Sequence, residues 1–155
     1  MVKIRGPLSF MYPGNGEDYL DQSRMQLYVK AKTKTAGGDN IGGTAAVGPR
    51  NLFLQSLFSQ VNVSLNDKLI TPSSSTYPYR AMIETLLNFG PAAKKSQLTT
   101  SLYYKDTPGK MNVLDPNTVD ADANMGLKAR NKFTRTSKSC HLSGPLHADI
   151  CFQER

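Results

Sequence analysis

Between Met25 and Thr33 apolar and polar side chains alternate without a break. Met25, Leu27, Val29, Ala31 and Thr33 fall on one face, and Gln26, Tyr28, Lys30, Lys32 and Lys34 on the other. A period of two over this length predicts a strand with one buried and one wet face, as in antiparallel sheets. The AGGDNIGGTAAVG run that follows has no periodicity and reads as a long loop. Pro49 suits the first position of a helix in which Leu52, Phe53, Leu57 and Phe58 keep helical spacing. That helix hands over to a strand with Val61, Val63 and Leu65 facing in. Asn66-Asp67 is the tight turn of a hairpin, and Leu69-Ile70-Thr71 its return strand. After a Ser-rich loop, Pro78 opens a second helix with Met82, Ile83, Leu86 and Leu87 on one face, and Gly90 stops it.

A further helical segment is predicted from Pro91 through Lys94, Lys95 and Leu98, ending before the Pro108-Gly109 turn. Residues 112–126 read as loop, with one more helix over Asn124 to Phe133. Cys140 to Phe152 reads as two short strands bent at Gly144-Pro145. No internal repeat and no linker composition divides the chain. Strands interrupted by short helices, without regular strand-helix alternation, predict a mainly β, antiparallel architecture with short helical insertions. Ile150 and Phe152 share a strand face, and the chain stops three residues later at Arg155. A final apolar strand without a closing turn leads us to expect a domain truncated at its C-terminal end.

The 155 residues suffice for a single domain. Twelve Gly and nine Pro favour short elements over a long helical bundle. No apolar run approaches the roughly 20 residues that a membrane helix needs. The opening MVKIRGPLSFMYPG is broken by Gly6, Pro7 and Pro13, which makes it a poor signal peptide. Neither secretion nor membrane insertion is expected. Cys140 and Cys151 alone make no disulfide framework, which fits a reducing compartment. The net charge of +7 is spread evenly, with one local excess. Between Asp122 and Asp149 stand Lys128, Arg130, Lys132, Arg135 and Lys138, with no acid among them.

Little in the chain resembles a catalytic site. On a strand His147, Asp149 and Cys151 would point the same way, but no CxxC or second ligand cluster accompanies them. A polar strand face with one buried thiol accounts for this spacing. GPAAKKS at residues 90–96 places Lys94 where a phosphate-binding loop needs its second glycine, and Pro91 removes an amide donor. A small-molecule jelly roll of the cupin type takes a His-x-His pair, whereas His141 and His147 stand far apart. No enzyme activity, metal or cofactor is expected. The stretch from Lys128 to Lys138 is the candidate contact: on a helix, Lys128, Lys132 and Arg135 share a face that could meet phosphates. A solvated surface is the plainer account of these charges, since Phe133 is the only aromatic among them and single-strand platforms need several. Lys30, Lys32 and Lys34 read as the wet face of a strand or as lysines guarding a sheet edge.

Two segments carry a resemblance: VGPRNLFLQSLFSQVNVSLNDKLITPSSSTYPYRAMIETLLNFGPAAKKSQLTTSLYYKDTPGKM, and GLKARNKFT…GPLHADICFQER. They resemble the hexon-type major capsid protein of Polinton (Maverick) elements and adintoviruses, over a stretch from about Gly14 to Arg155. The resemblance implies a double jelly roll, with this chain as the N-terminal jelly roll, incomplete in its final strands. It further implies homotrimers forming pseudo-hexameric capsomers of an icosahedral shell around double-stranded DNA. Neighbouring capsomers, a penton-type minor capsid protein and weak, non-specific DNA contact would be the partners. The place implied is the virion capsid, assembled in the nucleus or cytoplasm. Cys151 stands where an aromatic is expected in that family, and Asn66-Asp67 replaces a more usual Asn-Gly turn. The alternative from the residues themselves is a basic, sequence-nonspecific nucleic-acid-binding module.

Overall fold

Alternation along the first strand builds the sheet it predicts. In the computed structural model, which describes residues 7–14, 16–17, 20–71 and 75–148, β1 runs Gln26–Lys32 and alternates between exposed and half-buried positions. The other elements are α1 (Phe53–Ser56), β2 (Ser64–Leu65), β3 (Lys68–Leu69), α2 (Tyr77–Asn88), α3 (Pro91–Lys95), α4 (Met125–Thr134) and β4 (Ser139–Pro145). A 3-10 turn at Gln97–Ser101 follows α3. β1 pairs antiparallel with β4, more than a hundred residues away, with Val29 opposite Leu142 and Lys30 opposite His141. β2 and β3 form a separate two-stranded hairpin.

The inner face of the β1–β4 sheet carries the core. Leu27, Val29 and Ala31 pack with buried Cys140 and Leu142 against Phe53, Leu54 and Leu102. A second cluster, Leu52, Leu98 and Tyr103, is covered by Met82 and Phe89. The 3-10 turn lies directly on β4, where Ser101 Oγ donates to the Ser143 carbonyl at 2.9 Å. Gly144 permits this approach, since a Cβ there would collide with Ser101 Oγ.

Several sequence expectations change. The helix expected from Pro49 is one turn long: Leu52 takes a left-handed conformation (φ 53°) at its N-cap, and Pro49 belongs to the preceding loop. The hairpin turn is as read, with Asn66 and Asp67 both at positive φ, the geometry of a two-residue hairpin loop. Its strands are only two residues each, however, and Leu65 faces solvent rather than the core. In α2 the buried stripe is Tyr77, Ala81 and Thr85, while Ile83 (57% exposed) and Leu87 (77%) point outward with Leu86 and Tyr79. Small side chains at 81 and 85 let this helix approach its neighbours closely, so the bulkier apolar residues are left outside.

The antiparallel pairing with one wet face stands. Among the described residues helix nevertheless exceeds strand, and the sheets have two strands each. Of the two strands expected over Cys140 to Phe152, the first is β4; the second falls largely outside the described residues, as do Asp149 and Cys151. No helix among the described residues is long and apolar enough to cross a membrane.

Candidate nucleic-acid interface

α4 begins where an asparagine can hold it. Asn124 Oδ1 accepts the Leu127 amide at 3.3 Å, capping the helix, and also the Thr107 amide at 3.3 Å. Gly126 lies so close to the Lys105 backbone that a Cβ would sit 2.6 Å from the Lys105 carbonyl oxygen. The helix buries Leu127, Arg130, Asn131 and Thr134, a stripe with helical spacing.

Arg130 therefore leaves the candidate contact set. It is buried, donating from Nε to the Pro49 carbonyl (3.0 Å), from Nη1 to the Tyr104 carbonyl (2.7 Å) and from Nη2 to Asp106 Oδ1 (2.8 Å). A guanidinium so engaged ties α4 to two loops and has no donor face left for phosphate. Asn131 Nδ2 reinforces the first loop through the Val47 carbonyl at 2.6 Å.

The expected face of Lys128, Lys132 and Arg135 holds only in part: Lys128 and Lys132 stand one turn apart on α4, whereas Arg135 falls beyond its end. α4 ends at Thr134, and the chain reverses through Thr136 and Ser137, both at positive φ. Arg135 turns aside and donates from Nε to the Gly43 carbonyl at 2.8 Å. Lys128 is half-buried and lies away from the cleft described next. The reversal carries Lys138 to the cleft that Lys132 lines.

That cleft, of about 550 Å³, opens between the end of α4, the 3-10 turn and β4. Lys132, Lys138, His141, Tyr104, Phe133 and Thr100 are among its walls, and no acidic residue among the described ones is. The Tyr104 and Phe133 rings are paired, with centroids 6.0 Å apart. His141 belongs both to the cleft and to the outer face of the sheet, where it shares a hydrogen bond with Tyr28 and a ring contact at 5.9 Å. Beside it on that outer face stand Lys30 and Lys32, opposite His141 and Ser139. Among the described residues no carboxylate pairs with Lys30, Lys32, Lys132 or Lys138. Four of the other cations are paired, Arg24 with Asp21, Arg80 with Glu84, Lys110 with Asp122 and Arg130 with Asp106, whereas Lys68, Lys95 and Lys105 are not paired with a described carboxylate.

Two other constellations acquire structural roles. Cys140 and His141 are adjacent in β4 and so point to opposite faces. Burial pushes the Cys140 thiol above its ordinary pKa, which keeps it protonated and unreactive. His147 is buried, with Nδ1 bonded to Glu84 Oε2 at 2.9 Å, and Glu84 in turn accepts from Arg80 Nε at 2.6 Å. No group of three metal-ligating side chains gathers among the described residues.

Sequence reasoning missed Tyr28, Tyr104 and His141 as neighbours of these lysines. Their only local signal was exposure on a wet strand face or proximity to aromatic neighbours; the β1–β4 pairing brings Tyr28 to His141, and the Phe133 ring contact brings Tyr104 to the cleft.

Comparison with known proteins places the chain beside one distant relative. It is 25% identical, over 154 residues, to a Caenorhabditis elegans protein described as uncharacterized protein F54H12.2, an alignment covering 90% of this chain. The chain matches 37% of that relative's length. No protein-family model matches the chain, and no solved structure does.

Proposed function

We propose that this chain is the N-terminal part of a hexon-type capsid subunit, a structural protein that works by self-association rather than by turnover. In this reading the β1–β4 pair belongs to an antiparallel jelly roll whose remaining strands lie elsewhere in a longer protein. Three subunits form a capsomer of an icosahedral double-stranded DNA particle, and penton-type proteins fill its vertices. The virion capsid is its place of action.

The sequence resemblance over residues 47–111 motivates this reading. The observation that carries it is the large apolar surface left outside the core. Tyr79, Ile83, Leu86 and Leu87 line the outer side of α2, while Leu65, Leu69 and Ile70 are exposed on the hairpin. Leu8, Phe10, Met11 and Tyr12 are exposed in the leading segment. Apolar surface on this scale marks association in a soluble protein. The β1–β4 sheet also has only two strands among the described residues, and a sheet of that size gains stability from further strands. Light scattering on a sizing column tests the reading: a discrete trimer is expected, and a monomer at all concentrations overturns it.

A second reading has its own observation. The lysines around the cleft, which pair with no carboxylate among the described residues, fit a basic module that binds nucleic acid without sequence preference, and the inner wall of a capsid would use the same chemistry. Lys132→Ala with Lys138→Ala is expected to weaken DNA binding and reduce its salt dependence. Unchanged binding overturns it.

A further inference from the structure

We infer that the outer face of the β1–β4 sheet and the adjoining cleft form one continuous binding surface for single-stranded nucleic acid. The inference rests on the nucleic-acid reading and deepens it: it names the strandedness of the ligand and adds Lys30, Lys32, Tyr28, Tyr104 and His141 to the surface.

Charge placement is the first argument. Lys30 and Lys32 occupy alternate positions of β1, so their backbones are about 6.6 Å apart along one face. An extended polynucleotide strand repeats its phosphates at a closely similar interval. Register places His141 and Ser139 directly across from these lysines, and His141 leads into the cleft walled by Lys132 and Lys138. Four lysines that pair with no carboxylate among the described residues thus lie along β1 and in the walls of the adjoining cleft. Lys34, the next residue in the alternation, is outside this set because its Nζ donates to the Gly38 carbonyl at 2.8 Å.

Aromatic placement is the second. Within the Lys128–Lys138 stretch Phe133 is the only ring, too little for a stacking platform. The fold removes that objection. Tyr28 is 62% exposed and stands against the His141 ring; Phe133 is 44% exposed and stands against Tyr104. One ring pair therefore lies on the sheet face that carries Lys30, and the other in the cleft that Lys132 lines. In a duplex the base faces are covered by their neighbours, and such rings gain nothing. In a single strand each base offers a free face. The cleft, of about 550 Å³ and open to one side, has room for one base to lie against the Tyr104–Phe133 pair.

Fluorescence anisotropy with the full 155-residue chain tests this. The probes are a labelled oligothymidylate of about 20 nucleotides, its oligouridylate counterpart and a duplex of equal length, a size chosen to exceed a single-domain site. Inorganic polyphosphate serves as the competitor without bases. The single strands are expected to bind more tightly than the duplex, and the tighter of the two identifies DNA or RNA as the source. Tyr28→Ala and Phe133→Ala are each expected to weaken single-strand binding by about fivefold or more, leaving duplex binding unchanged. Lys30→Ala with Lys32→Ala is expected to lower the slope of log affinity against log salt by about 1.4, at roughly 0.7 per phosphate contact. Circular dichroism confirms that each variant is folded. Equal binding of single strand and duplex, or indifference to both aromatic substitutions, overturns the single-strand inference and leaves the broader reading intact. If none of the three probes binds, both fall.

Discussion

Arg130 and Lys132 stand two residues apart in α4 and have opposite fates. The guanidinium of Arg130 is buried against the Pro49 and Tyr104 carbonyls and Asp106, whereas Lys132 is exposed and lines the open cleft. Removing Arg130 would strand two carbonyls and a carboxylate that now share it. Arg130→Ala should therefore cost about 3 kcal/mol or more in urea unfolding, and Lys132→Ala less than about 0.5. Arg130→Lys should recover little, because an ammonium cannot span three acceptors in a plane. His147 gives a residue-scale prediction in pH. Burial lowers its pKa from 6.5 despite the neighbouring Glu84 carboxylate, and Arg80 pushes the same way. The folded state thus holds fewer protons on this ring than the unfolded chain does once the pH drops below about 6.5. Its contribution is full above that value and is lost as acid protonates the unfolded chain and then the folded one. The melting temperature should fall between about pH 7.5 and pH 5.5, and His147→Gln should flatten that part of the dependence.

At the scale of elements, Gly144 decides how closely the 3-10 turn sits on β4. An added methyl would meet Ser101 Oγ, with Gln55 Nε2 and Leu54 Cδ2 each 3.2 Å away. Gly144→Ala should destabilise the chain by about 1–3 kcal/mol in thermal unfolding, and Ser101→Gly in the same chain should restore part of the loss. Elements differ in how far the sequence reveals them. β1 was legible because its alternation is a property of one strand, and α4 because Asn124 caps a run of good helix formers. The Asn66-Asp67 turn was legible because both residue types tolerate positive φ. The face of α2 was not, since Ala81 and Thr85 give no hydrophobic signal although they make the contact. The role of Arg130 was hidden for the same reason: its three acceptors lie 24 to 81 residues away in the chain. Of the basic stretch, Lys132 and Lys138 meet at the cleft because two left-handed residues after α4 reverse the chain, a feature no periodicity encodes.

At the scale of the whole molecule, the packed core and the exposed apolar side chains of α2 lie on different surfaces, which makes the proposed subunit role separable from folding. The core clusters lie between the β1–β4 sheet, α1, the 3-10 turn and the inner side of α2. Ile83 and Leu87 belong to neither cluster and project from the opposite side of α2, one helical turn apart. Lysine at both positions removes apolar surface without opening a cavity, so unfolding free energy should change by no more than about 0.5 kcal/mol per site. If the outer side of α2 is where subunits meet, two buried ammonium groups in every copy of the contact oppose assembly, since desolvating an unpaired charge costs several kcal/mol. Ile83→Lys with Leu87→Lys should then convert a trimer to a monomer in light scattering while leaving the melting temperature nearly unchanged. A trimer that survives both lysines excludes this helix from the interface and shifts attention to the exposed hairpin and the leading segment. A variant that loses its fold instead would mean that the outer side of α2 is packed against other parts of the chain.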